Sequence, residues 1–215
     1  MYNEKILNPI EDNLNGLIVV SSRSLNGEGH EYDSMCVLLN AHERLNRDTD
    51  VLFYNTSKKD KFGIFSTEDS SVRGPMCPND GEEMQFWKEE YFDLEYFIVD
   101  LDKVAKEVEY IDFLLLDYER INGASDEVCA WSWQDYEIEI YKVNDRRDIL
   151  GKNTVVNEKP FLKHNFGQKG LSIANVKEQP HCRFGRLQRS ENGWRYISIW
   201  EGIKDIEEKL NNYLR

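Results

Sequence analysis

Several things are scarce in this sequence, and each scarcity removes a class of protein. The 215 residues include only four cysteines, Cys36, Cys77, Cys129 and Cys182. No two form a C-x-x-C pair, and the only close Cys/His neighbours, His181 and Cys182, are adjacent and badly placed to chelate one ion together. This is neither zinc spacing nor a small secreted disulfide framework; it is the usage of reduced thiols in a cytosolic protein. No apolar run approaches the roughly 18 residues that a membrane span needs. The N-terminal MYNEKILNPIEDNLNG has neither a basic segment nor an apolar core, so it does not read as a signal peptide. Positive charge is also in deficit. Lys and Arg total 27 against 40 Asp and Glu, a formal net charge of −13. Such a surface repels phosphate backbones and anionic lipid and favours cations, so nucleic acid and direct membrane insertion are not expected.

Catalytic signatures are missing too. There is no G-x-x-x-x-G-K-[ST], no G-x-G-x-x-G opening a helix and no G-x-S-x-G. The four histidines, His30, His42, His164 and His181, are scattered without an H-E-x-x-H, and they read as surface or structural residues. The expectation is a protein that is not an enzyme.

What the chain does contain is a series of short apolar runs rich in Val, Ile, Phe and Tyr, separated by turn chemistry. Leu17 to Val20, Met35 to Leu39, Val51 to Tyr54, Phe62 to Phe65, Tyr96 to Leu101, Arg183 to Gln188 and Trp194 to Ile199 are strand material. Ile111 to Tyr118 is the most apolar run and suits a strand buried on both faces. Tyr136 to Val143 alternates, which predicts one face inward and Glu137, Glu139 and Tyr141 outward. Asp102 to Val108 looks like a turn or two of helix, and SENG joins the last two strands as a hairpin. The tail changes period: Ile203, Ile206, Leu210 and Leu214 make one apolar stripe of an amphipathic helix.

The sum is eight to ten strands and a C-terminal helix, with no alternation of strands and long helices. That predicts an all-β fold, a two-sheet β-sandwich with short helical turns. The predicted division is an N-terminal arm over 1–16 and a single domain over 17–215, with an insertion at about 151–180.

Acidic clusters are the strongest chemical signal. Hard cations take six to eight oxygen ligands, and loops with glycine supply them well. Residues 68–83, EDSSVRGPMCPNDGEE, carry Glu68 and Asp69 at one end and Asp80, Glu82 and Glu83 at the other. This is not an EF-hand: aligning Asp80-Gly81 with its fifth and sixth positions puts Met76 and Pro78 where ligands belong. Glu31 with Asp33, Asp48 with Asp50, and Asp100 with Asp102 are further pairs that share a strand face. Composition alone favours a solvated acidic surface, because 40 acidic residues cluster by chance. A cation cage stays open beside it.

Particular residues then suggest a family. Asp48-Thr49-Asp50-Val51-Leu52-Phe53-Tyr54-Asn55 resembles the D-x-D-hydrophobic-hydrophobic-F-Y-N strand of the TerD-like tellurium-resistance and stress proteins. Tyr32 to Leu39 is similar to their D-L-D-A-S-A-F-L segment, with Glu31 in the place of an Asp, and Val99 to Val104 to their V-D-L-x-x-V-P. Phe184 to Arg189 followed by Trp194-Arg195-Tyr196 looks like their F-G-E-[VL]-Y-R…W-[KR]-F close. These matches run in family order over about residues 17 to 215. The resemblance implies a β-sandwich without established catalytic activity that binds calcium (Ca2+) through acidic loops. It implies membership of cytoplasmic stress complexes with other tellurium-resistance proteins, some members associating with a membrane-protein partner. Asp69, Asp80, Glu82 and Glu83 are the expected central ligands, with Glu31 and Asp33 from a neighbouring loop. The central Glu-Gly repeat of the family's loop is replaced here by Pro75, Met76, Cys77 and Pro78. The alternative is an interaction module of the same fold that has lost the ion. Phe86, Trp87, Tyr91, Phe92, Trp131 and Trp133 would then be candidates for a partner surface.

Overall fold

The structure, a computed structural model, describes residues 11–24, 32–47, 50–52, 64–66, 92–117, 136–143, 160–165 and 179–214. They form eleven strands and one helix: β1 (Glu11–Leu14), β2 (Leu17–Ser24), β3 (Tyr32–Leu39), β4 (Val51–Leu52), β5 (Ile64–Ser66), β6 (Phe92–Asp100), β7 (Tyr110–Asp117), β8 (Tyr136–Val143), β9 (Leu162–Asn165), β10 (His181–Ser190), β11 (Gly193–Ile203) and α1 (Ile206–Leu214). The strands make a six-stranded sheet, β1-β11-β10-β7-β3-β4, and a five-stranded sheet, β5-β6-β2-β8-β9. Every pairing is antiparallel. The expected all-β sandwich with a C-terminal helix is what the chain forms.

The core lies between the sheets. Ile18 and Val20 of β2, Cys36 and Leu38 of β3, Phe97 and Val99 of β6, Ile111, Phe113 and Leu115 of β7, and Ile138 and Ile140 of β8 all point into it. Alternate residues of each strand face inward, as a period of two requires. Phe97, Phe113 and Phe184 bridge the sheets as a run of rings with centroids 6.1 and 6.0 Å apart. Each fully buried ring contributes roughly 1.5–3 kcal/mol by removal from water.

The helix adds a third layer. Its side chains cover the outer face of the six-stranded sheet, where Met35, Val37, Leu39, Leu114, Leu116 and Ile203 form a second cluster with Leu210 and Tyr213. The predicted stripe is shifted at its end: Leu214 is 55% exposed, and Tyr213 is the buried residue. From Ile206 the helical period passes through Leu210 to position 213, so the aromatic ring takes the last inward place. Asp205 caps the helix by accepting the Glu208 N–H at 3.0 Å.

Four details differ from the sequence expectation. Part of the predicted arm is sheet: β1 pairs with β11, and Leu14 is buried in the core. Asn13 and Gly16, both at positive φ, turn the chain from β1 into β2. Strand β8 is not solvated on its second face. Glu137 and Glu139 are buried there, held by Lys163 and, for Glu139, by the Tyr141 hydroxyl. The region expected as an insertion contains β9, which pairs with β8. The turn over 101–109 has single-turn hydrogen bonds, Lys103 N–H to Asp100 O and Val108 N–H to Ala105 O, in place of a helix.

Candidate functional site

Register places one set of strand ends together. β2 ends at Ser24, opposite Phe92 at the start of β6 and Tyr136 at the start of β8. β5 runs toward the same end and finishes at Ser66. In the other sheet β3 begins at Tyr32, opposite Asp117 at the close of β7, and β10 begins at His181. Ser22 and Ser34 meet across the sandwich, Oγ to Oγ at 2.7 Å, so the two sheets end side by side. The segments 25–31, 67–91, 118–135 and 166–178 therefore all leave from one end. Residues 67–91 carry seven acidic residues against two basic, 118–135 four against one, and 25–31 two against none.

Asp33 stands at this end, buried and opposite Leu116 in register. Asp117, fully buried, is its neighbour on β7, and its backbone N–H donates to His181 Nδ1 at 3.1 Å. Glu31, Asp69, Asp80, Glu82 and Glu83 lie outside the described residues, as do the aromatic candidates Phe86, Trp87, Tyr91, Trp131 and Trp133. Among the described residues, no group of three or more His, Cys, Asp or Glu side chains is gathered to hold a metal ion.

Of the other acidic pairs, Asp48 lies outside the described residues, and Asp50, Asp100 and Asp102 are occupied by the chain itself. Asp50 Oδ2 accepts the N–H groups of Asn46 and Arg47 at 3.1 and 3.0 Å. Asp100 bonds Lys103 at 2.6 Å, and Asp102 accepts the Gly16 N–H at 3.4 Å. These carboxylates fix turns at the opposite end of the sandwich.

The largest charged constellation in the described structure was not singled out from sequence. Asp112, in the middle of the apolar run, is fully buried on the outer face of the six-stranded sheet. Its carboxylate accepts from Arg183 Nη1 at 3.0 Å, Arg186 Nε at 2.5 Å, Arg186 Nη2 at 2.9 Å and the Tyr213 hydroxyl at 2.8 Å. Two residues three apart on a regular strand would face opposite ways. A bulge between Arg183 and Gly185 brings both arginines to one face. Glu201 and Glu43 take the outer sides of Arg183 and Arg186 at 2.7 and 2.9 Å. Burial alone would raise the Asp112 carboxyl; the Arg186 hydrogen bonds and the Arg183 and Arg186 charges outweigh it and hold the carboxyl below its ordinary 3.8. The signal was present: a lone carboxylate inside a doubly buried strand requires a cationic partner. Through Tyr213 this constellation locks α1 to the sheet.

A two-sheet antiparallel sandwich whose acidic connections gather at one end defines a class of loop-bearing β domains. Residues 7–126 match the TerD domain, more than half of the chain, and the protein belongs to the TerD family, whose name is tied to tellurium resistance. Among solved structures, a homologue of telluride resistance protein from Streptomyces coelicolor A3(2) superposes with a TM-score of 0.54 at 11% identity, covering 89% of this chain and 92% of that one. A protein of unknown function gives a TM-score of 0.50 at 9% identity, with 89% and 91% covered. These two likenesses concern the fold. A search of the curated proteins found no match. No helix among the described residues is long and apolar enough to cross a membrane.

Proposed function

We propose that this TerD-family domain is a non-enzymatic, calcium-binding component of a cytoplasmic stress-response complex. The observation that carries the reading is the common root of the acidic segments. Asp33 sits at the end of the sandwich where β5 stops and β6 starts, the two strands joined by the segment bearing Asp69, Asp80, Glu82 and Glu83. Glu31 precedes β3 by one residue at that same end. Carboxylates crowded at one end repel one another, and a hard divalent cation relieves that repulsion by bridging them. The family supports the coarser part of the reading, a tellurium-resistance role, and the expected partners are other proteins of such a complex, including a membrane-protein partner. The chain's own charge disfavours nucleic acid.

The test is calorimetric titration of Ca2+ into wild type, Asp69→Ala and Asp80→Ala, with melting curves in calcium and in chelator. Binding by wild type and weaker binding by both variants supports the reading. No heat and no melting shift at millimolar calcium ends it and favours the second reading, the interaction module. The Pro75-Met76-Cys77-Pro78 interruption is the feature that favours that second reading.

A further inference from the structure

The five-stranded sheet is closed on one side by β9, a strand of four residues whose side-chain ties are largely polar. On its outer face, Lys163 Nζ donates to Glu137 Oε1 and Glu139 Oε1, each at 2.8 Å. On its inner face, Leu162 enters the core, and His164 Nε2 meets Ser198 Oγ of β11 at 3.3 Å. The His164 ring also meets Trp200 edge to face at 4.8 Å. One tie runs within the sheet and the other crosses to the opposite sheet.

The two ties respond differently to protons. Burial works against the Lys163 charge, but its hydrogen bonds to Glu137 and Glu139 outweigh it and raise the ammonium above its ordinary 10.5. That tie holds at neutral pH. Burial pushes the His164 imidazole below its ordinary 6.5. On the face of β8 toward His164 stand Tyr136, Ile138 and Ile140; Glu137 and Glu139 point the other way, with Lys163. β11 offers Tyr196, Ser198 and Trp200, and β10 offers Cys182. Burial pushes the Tyr196 hydroxyl and the Cys182 thiol up, so both are neutral. On these strands, no carboxylate of a described residue faces the ring. The Trp200 ring offsets only part of the cost of a charge there.

We propose that β9 is an acid-released edge: protonation of His164 places a charge between the sheets, loosens Leu162–Asn165 from β8 and bares the pairing edge of Glu137–Ile140. A bared edge is a template for an extended segment of another chain. The opened strand takes its proton near pH 6.5, whereas the closed strand resists until lower pH. Between those values the open form binds more protons. Closure is therefore tightest above 6.5, and opening grows as pH falls, by at most about tenfold per pH unit for one proton.

Hydrogen exchange of the Leu162–Asn165 amides, corrected for the intrinsic pH dependence of exchange, tests this in the full chain at pH 7.5 and 5.5. Expected is a several-fold rise in opening for wild type at the lower pH, with the β10 and β11 amides unchanged, and no rise in His164→Gln. A wild type with equal opening at both pH values overturns the proposal, as does a glutamine variant that keeps the rise. Should that variant fold poorly, the His164 ring titration in wild type decides by NMR. A midpoint below 6.5 that tracks the β9 amide shifts supports the proposal, and a midpoint at or above 6.5 overturns it.

Discussion

The two ends of this sandwich are built from opposite materials. At one end, residues 40–47, 101–109 and 189–194 close the structure with the chain's own hydrogen bonds. Glu109 N–H donates to Leu39 O, Arg189 N–H to Glu109 O, Leu101 N–H to Gly16 O and Leu45 N–H to Tyr213 O, each at 2.8 Å. Arg189 lies over Trp194 at 4.3 Å and donates to the carbonyls of Val104, Ala105 and Val108. Acid and base nearly balance in the connections there: three acidic against two basic residues in 101–109, and three against four in 144–159. At the other end three of the four connections are strongly acidic, seven against two in 67–91 alone, and only 166–178 is not, with one acidic against two basic residues. The closed end shows how a sandwich end is sealed from within. Excess like charge at the far end calls for neutralisation from outside, by solvent or by a cation.

The largest expected effect breaks the sealed end. Asp112→Ala removes the carboxylate that anchors Arg183, Arg186 and Tyr213, and through Arg186 the Glu43 turn. Removing one member of a buried ion network costs roughly 3–5 kcal/mol. Urea denaturation should show that loss, and any calcium response in the surviving folded fraction should persist, since Asp112 lies far along β7 from Asp117. The pH dependence has a definite sign. The folded carboxyl sits below its ordinary 3.8, so its contribution is complete above about pH 4 and fades as pH falls further. Wild type should therefore lose an increment of stability below pH 4 that Asp112→Ala lacks.

The next effect concerns the acidic end. A ligand that binds only the folded state stabilises it by about 2.7 kcal/mol at one hundred times its dissociation constant. Calcium at that excess should raise the melting temperature of wild type, and chelation should lower it again. Asp69→Ala should reduce the shift, with a melting temperature in chelator equal to or slightly above that of wild type, since one repelling charge is gone. Equal shifts in both proteins would move the ion away from Asp69.

Most of the strand inventory was legible because β-branched and aromatic runs bounded by Gly, Asn and Asp read as strands wherever they face the core. Boundaries were less so. β2 runs on through Ser21, Ser22 and Ser24, and β3 starts at Tyr32 and Asp33, because tertiary pairing recruits polar residues that carry no strand signal of their own. EDNL and LKHN, which became β1 and β9, each have one apolar side chain directed at the core and so no visible period. The acidic end was legible as loop chemistry, yet of its six candidate residues only Asp33 is among those described. The Asp112 network joins residues up to 143 apart and depends on a bulge, and neither is encoded in a local pattern.

The bulge itself offers a smaller and more local test. A Cβ at Gly185 would come within 1.9 Å of the Tyr196 hydroxyl oxygen and 2.5 Å of the ring carbon that bears it. Gly185→Ala must displace a buried ring, at a cost of about 1–3 kcal/mol typical of overpacking. Pairing it with Tyr196→Phe sharpens the reading, because removing the hydroxyl returns part of that space. The double variant should recover stability relative to Gly185→Ala alone, and purely additive losses in denaturant would rule out this contact as the reason for glycine.

The smallest effect returns to the sealed end. Asp50 accepts two backbone N–H groups, from Asn46 and Arg47, and holds the turn that follows β3. Asp50→Ala removes both acceptors from part-buried donors that water can partly satisfy. A loss of about 1 kcal/mol is expected, the net worth of a typical hydrogen bond and below the roughly 1.5–3 kcal/mol for one to a charged group, because water takes over part of what the two donors lose. The family-like motif around Asp48 and Asp50 makes the same substitution informative about function. If Asp50 serves only the turn, calcium should stabilise Asp50→Ala and wild type by the same increment in melting curves. A smaller increment in the variant would mean that the turn at the sealed end and the acidic end are coupled, and the contrast between the two ends would no longer hold.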